Sequence, residues 1–278
     1  MSLSAALLVL ATASCGGNGA KAPGDSDTAD TASAAVIDST ALAADDDDAN
    51  QPPMPKAADE LFDDFIFNFA ASRKLQMERI VFPLPSVNGP KKELIGRSAW
   101  KMEYFFMRQG YYTLLFDNER HMEVVKDTAV HHAVVEKIYF NTSSVIQYVF
   151  DRHQGAWMLV EMNTIPISAS SNASFLTFFH RFATDKEFQS QSLGETVAFV
   201  GPDPDDDFAQ MEGVISADTW EAFAPELPQK MIYNIIYGQP HREGTTKVFV
   251  LRGIANGLEL RMTFRRIGGE WKLTKLNT

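Results

Sequence analysis

Phe175-Leu-Thr-Phe-Phe-His-Arg-Phe-Ala-Thr-Asp-Lys-Glu-Phe-Gln189 is matched, 113 residues earlier, by Phe62-Asp-Asp-Phe-Ile-Phe-Asn-Phe-Ala-Ala-Ser-Arg-Lys-Leu-Gln76. Phe62, Phe65, Phe69, Ala70 and Gln76 fall on Phe175, Phe178, Phe182, Ala183 and Gln189, and Ile66 falls on Phe179. Large apolar residues stand at i, i+3, i+4 and i+7 in both copies, which predicts a helix with one buried stripe. The match resumes at the far end of each copy. Phe150, Gly155, Trp157 and Leu159 meet Phe264, Gly269, Trp271 and Leu273 at an offset of 114. Shared ends around a variable middle, over a repeat this long, indicate duplicated domains rather than a solenoid unit.

Working outward, Thr164–Ser174 (Pro166, serines and Asn172) reads as the connection, so the domains expected are 58–165 and 171–278. In the first, Ser72 caps a short second helix and Arg79-Ile-Val-Phe-Pro-Leu-Pro85 breaks it. Trp100–Met107 reads as another short helix, and strands follow at Tyr111–Phe116, Ala129–Phe140, Ser144–Arg152 and Ala156–Met162. In the second, Thr184-Asp-Lys-Glu187 has capping-box spacing. Val197–Val200, a loop at Gly201–Asp207 and a short helix at Trp220–Phe223 come next. Strands Met231–Tyr237, Lys247–Ile254, Leu258–Arg266 and Trp271–Leu276 end the chain. Asn256-Gly257 predicts a two-residue hairpin turn with positive φ at both positions.

The N-terminal end is of another kind. Ala5–Ala13 is an apolar run too short to span a bilayer but right for a signal-peptide core. Thr12-Ala-Ser-Cys15 follows, and Cys15 is the single cysteine of the 278 residues. Residues 1–15 therefore read as a lipoprotein signal with Cys15 as lipid anchor, although Thr12 stands where Leu is usual and no Lys or Arg precedes the run. The plainer alternative is a secretory signal with an incidental cysteine. Residues 16–57, rich in Ala, Asp, Ser and Thr, read as a disordered acidic tether of about 35–40 Å reach. Gly16–Lys56 carries eight acids and two bases, net −6 of the chain's −11, leaving −5 for the body. That balance argues against a nucleic-acid surface. The expected partners are the membrane, through the lipid, and a small molecule or protein. The expected place is the cell envelope, with a periplasmic or surface-exposed body.

Few residues call for chemistry. Asp203, Asp205 and Asp207 have alternate spacing, but Phe208 and Val214 stand where an EF-hand needs Gly and Glu, so an acidic turn is the better reading and no metal is expected. His131 and His132 are adjacent on a strand and point to opposite faces. His180 lies off the Phe stripe, where the first copy has Phe67. No phosphate loop, serine elbow or zinc spacing occurs, so no catalytic residue and no cofactor is assigned. Trp100, Tyr148, Trp220 and Tyr233 are the candidate pocket-lining residues, while Trp157 and Trp271 read as core.

A Phe-rich helix, short helices and an antiparallel meander closing on Gly-x-Trp resemble the nuclear-transport-factor-2-like (cystatin-like) fold. The fold class implied is α+β: two tandem cone-shaped domains, each a helix packed in a curved antiparallel sheet. Together with Leu75-Gln76, Arg79–Leu84, Pro202–Phe208, Ala224-Pro-Glu-Leu-Pro228 and Arg252–Gly257, the chain resembles an uncharacterised family of Bacteroidetes lipoproteins. That family has no assigned activity, so the resemblance carries over no catalytic residue. The function expected is a non-catalytic envelope lipoprotein that binds a small apolar ligand, a peptide or a partner protein. The alternative is an enzyme of the isomerase/dehydratase type with a carboxylate in one cone.

Overall fold

The computed structural model describes residues 56–203, 206–238 and 244–278. Cys15, the signal segment, the tether up to residue 55, Asp205 and His241 lie outside them. After a 3-10 turn at Lys56–Asp59 come helices α1 (Phe62–Ala71) and α2 (Arg73–Arg79). Strands β1 (Leu84–Asn88), β2 (Lys91–Ile95), β3 (Tyr111–Phe116), β4 (His132–Tyr139), β5 (Ser144–His153) and β6 (Ala156–Pro166) follow. The programme then repeats as α3 (Ala173–Thr184), α4 (Lys186–Gln191), β7 (Leu193–Asp203), β8 (Asp206–Ile215), β9 (Met231–Tyr237), β10 (Thr246–Gly253), β11 (Glu259–Ile267) and β12 (Glu270–Asn277). None of the described helices is long and apolar enough to cross a membrane.

All twelve strands join one sheet in the order β2-β1-β6-β5-β4-β9-β3-β10-β11-β12-β7-β8. Two of them are exchanged. β9 runs antiparallel to β4 of the first half, from Ala133↔Tyr237 to Tyr139↔Met231. β3 runs antiparallel to β10 of the second, from Val248↔Phe116 to Gly253↔Tyr111. Between them, β3 and β9 pair in parallel at Thr113↔Asn234 and Leu114↔Ile235. The expectation of antiparallel sheets is corrected here: β1–β6, β3–β9 and β7–β12 are parallel, so the sheet is mixed.

Adjacent residues of a strand point to opposite faces, and both faces of the middle strands are covered. Tyr112, Leu114 and Phe116 of β3 join the core around α1, while Leu115 joins the core around α3. Val248 and Val250 of β10 likewise face α1, and Phe249 and Leu251 face α3. The two helices thus lie on opposite faces of one sheet. This is why Tyr111–Phe116 and Met231–Tyr237 read as largely apolar runs, interrupted only by the buried Thr113 and Asn234, the pattern of a strand buried on both sides. The helix stripes are buried as expected, with Phe62, Phe65, Ile66, Phe69 and Phe175, Phe179, Phe182 all at 2% exposure or less, except that Phe178 is only partly buried. Trp157 and Trp271 are buried among them.

Several local readings change. α4 is capped by Asp185, whose carboxylate accepts from Phe188 N at 2.9 Å. Thr184 is the last residue of α3, and its hydroxyl bonds to His180 O instead of capping. Trp100–Met107 is not one helix; 3-10 turns at Arg97–Ala99 and Phe105–Arg108 flank an extended stretch. The loop expected at Gly201–Asp207 is mostly strand, since β7 runs to Asp203 and β8 starts at Asp206. Asn256-Gly257 is not a two-residue turn. The pairing stops at Arg252↔Glu259, only Gly257 has positive φ (67°), and Asn256 Oδ1 accepts from Leu258 N in a longer loop. The tight turns with two positive φ values are Gln154-Gly155 (51° and 86°) and Gly268-Gly269 (62° and 90°), at matching places in the two halves.

Candidate functional site

The position shared by both copies of the helix motif, Gln76 and Gln189, is where the two halves begin to differ. Gln76 is fully buried. Its Nε2 donates to Phe69 O (3.0 Å) and Glu103 O (2.7 Å). Its Oε1 accepts from Trp100 Nε1 (3.1 Å) and Glu103 N (3.2 Å). Four hydrogen bonds use the whole capacity of a primary amide, and two of them draw the chain at Glu103 onto α2. Gln189 keeps the equivalent pair alone: Nε2 to Phe182 O (3.1 Å) and Oε1 from Trp220 Nε1 (3.0 Å).

Glu103, drawn inward in this way, becomes the centre of a polar cluster. Its Oε2 accepts from Tyr148 OH (2.9 Å) and Lys137 Nζ (3.2 Å). Its Oε1 accepts from Tyr233 OH (3.0 Å), Phe105 N (3.1 Å) and Lys137 Nζ (3.3 Å). β5 supplies Tyr148, β4 supplies Lys137, and the exchanged strand β9 supplies Tyr233. Burial, followed by the neighbouring Glu103 charge, pushes both phenols well above the ordinary tyrosine range. They therefore stay neutral and act as donors. A carboxylate offers about four lone-pair directions, and all are engaged here. The bond to Phe105 N holds that residue at φ +46°, a left-handed conformation that costs a side-chain-bearing residue about 1–2 kcal/mol. In return the turn buries Phe105 and Phe106 in the first core. Phe105 packs against Phe69, Tyr148 and Tyr233.

The second half lacks every part of this arrangement. Trp100 through Thr113 correspond to Trp220 through Tyr233 at an offset of 120, and β4–β6 correspond to β10–β12 at 114. The backbone obeys the same mapping: Phe140 N donates to Lys230 O, and Ile254 N donates to Gly110 O. Phe223 then stands for Glu103, Leu251 for Lys137, Met262 for Tyr148 and Thr113 for Tyr233. Pro225 and Glu226 replace Phe105 and Phe106. With no pair of bonds to Gln189, the segment 224–230 runs on without regular structure. A groove of about 1060 Å³ lies between it and α3–α4. Trp220, Gln189, Lys186, Leu227 and Glu226 line it, together with Tyr111 from the other half.

A family described as a domain of unknown function, DUF4348, matches residues 42–278. The chain belongs to that family. It is also similar to a crystal structure of an NTF2-like protein from Bacteroides fragilis NCTC 9343, at 43% identity and a TM-score of 0.73. That match covers 81% of this chain and 98% of the other. No match was found among curated proteins. The NTF2-like, α+β character expected from the sequence is thereby shown for this DUF4348 chain.

Of the four residues singled out in the sequence, Tyr148 and Tyr233 meet on Glu103, Trp100 is buried on Gln76, and Trp220 borders the groove. Glu103 and Lys137 were not singled out, because neither lies in a motif. The signals that would have found them are the 120-residue offset from Trp100 to Trp220, which sets Glu103 against Phe223, and the 114-residue offset, which sets Lys137 against Leu251. Other titratable groups serve the frame. Tyr237 OH donates to Asp63 on α1, and burial before all else raises the Asp63 pKa. Glu136 is fully buried, accepts from Gln147 (3.0 Å) and Asn234 (3.2 Å), and is likewise raised by burial. His132 pairs with Asp151 at the surface (2.7 Å). His180 stacks on Phe140 beside a smaller cavity of about 240 Å³. Among the described residues no His, Cys, Asp and Glu group forms a metal site.

Proposed function

We propose that this DUF4348 protein is a non-catalytic envelope lipoprotein. In this reading it is anchored through Cys15 and built from tandem cone-shaped units, and its second half binds a peptide, a small apolar molecule or a partner protein in the groove beside Trp220. The observation that carries the reading is the asymmetry between the halves. The first is plugged by Phe105 and Phe106, while the second has a groove of the size of known ligand pockets. A general base needs a lone pair free to take the substrate's proton. Glu103 spends all of its lone pairs on Tyr148, Tyr233, Lys137 and Phe105 N, which favours binding over the isomerase/dehydratase alternative.

A photoreactive residue placed at Leu227 tests this in cells, with the same residue at Lys91 on the far sheet edge as control. The expected result is a crosslinked product at Leu227 alone, lost when Ala183→Trp fills the groove. Native mass spectrometry of the purified protein covers the small-molecule case. No crosslink at Leu227 and no bound mass in the wild type would defeat the proposal.

A further inference from the structure

The strand exchange points to a property that does not depend on what the groove binds. We infer that residues 56–166 and 173–278 are obligate partners, a pseudo-dimer fused into one chain, in which each half completes the other's sheet and the other's site. The pairing is reciprocal. β9 supplies the first half with the strand beside β4, and β3 supplies the second with the strand beside β10. Each exchanged strand enters by a matching backbone bond, Phe140 N to Lys230 O (3.0 Å) and Ile254 N to Gly110 O (2.9 Å).

Without its partner, the first half would expose the β4 edge and one buried face of β3. The second would expose the edge of β10 and one face of β9. Such surfaces are apolar and long, the kind that aggregate when left open. The sites are composite in the same sense. Glu103, Lys137 and Tyr148 belong to the first half, but Tyr233 comes from the second. The groove lies in the second half, but Gln109 and Tyr111 on its wall come from the first. Only the short stretch around Ile167–Ser171 joins the halves along the chain. The surface between them is of the obligate kind, whose partners do not fold apart.

A protease recognition sequence inserted in the full-length chain between the exposed residues Ser168 and Ala169 tests this. After complete cleavage, the fragments should co-elute at the mass of the uncut protein at about 1 µM, where weakly held partners separate. They should also unfold in one transition, with a midpoint that rises with protein concentration only after cleavage. Fragments that separate without denaturant, or that unfold in two transitions, would overturn the inference. If the inserted chain does not fold, native-state hydrogen exchange on the unaltered protein decides. Amides of β3 and β9 should open together with those of α1 and α3 as a single unit. Separate opening of the α1 and α3 cores would equally refute it.

Discussion

Truncating Glu103 separates a structural role from a catalytic one. Glu103→Ala leaves Lys137, 16% exposed in its side chain, without its carboxylate partner, and leaves the buried phenols of Tyr148 and Tyr233 without their acceptor. It also frees Phe105 N from the bond that holds its left-handed turn. Breaking one partner of a buried ion pair costs about 3–5 kcal/mol, and hydrogen bonds to a charged group contribute about 1.5–3 kcal/mol each without adding fully. The expected loss is therefore about 3–5 kcal/mol, or a Tm lower by roughly 6–20 °C for a folded body of this size. Glu103→Gln retains one acceptor oxygen and should lose about half as much. Urea unfolding with a Glu103/Lys137 double-mutant cycle measures both the total and the coupling. A loss below about 1 kcal/mol for Glu103→Ala, with cooperative unfolding intact, would refute the reasoning. A carboxylate kept for catalysis is commonly neutral or even unfavourable to stability.

Glu136→Gln should be at least as stable as the wild type at neutral pH. Asn234 Oδ1, buried and unpartnered, can turn to accept from the new amide. Burial raises the Glu136 pKa above its ordinary 4.5. Between the unfolded and the folded pKa the wild type therefore binds more protons folded than unfolded, and it loses stability as pH rises from the unfolded value through the folded one. The advantage of Glu136→Gln should thus be near zero below pH 4.5 and grow upward from there; a constant difference between the two unfolding curves would exclude this cause. Asp63→Asn should behave in the same sense, since burial is also the largest influence on Asp63. Gln189→Leu strands Trp220 Nε1 and Phe182 O and should cost about 1–3 kcal/mol by thermal unfolding; no change would show that these bonds contribute nothing. A palmitate analogue should label the wild type in cells and not Cys15→Ala, and equal labelling would remove the anchor.

Helices α1 and α3 and most of the strands were legible, but β1, β2 and β8 were not read from the sequence. The Phe stripes of α1 and α3 place one helix face by the 3.6-residue period, and β3 and β9 were delimited to the residue. Short-range chemistry was read less well wherever two local signals competed. Asp185 outbids Thr184 as a cap because α3 runs one residue further and carries Thr184 with it. Asn256 makes a side-chain turn of its own in place of the expected hairpin. Gln76 and Gln189 stood in the repeat from the start, yet the two extra bonds from Gln76 to Glu103 appear only once the chain returns to α2.

By itself, the sequence determined that one pattern of helix, strands and closing Gly-x-Trp occurs twice, with strands at Tyr111–Phe116 and Met231–Tyr237. Period and composition are local properties, and they survive any arrangement of the pieces. Only the tertiary structure decided that β3 and β9 change places, because a strand buried on both faces records that it is covered but not which half covers it. The same exchange brings Tyr233 across 130 residues to Glu103 and Tyr111 to the groove. Both sites depend on contacts between residues far apart in the chain, set by strand register and not by spacing.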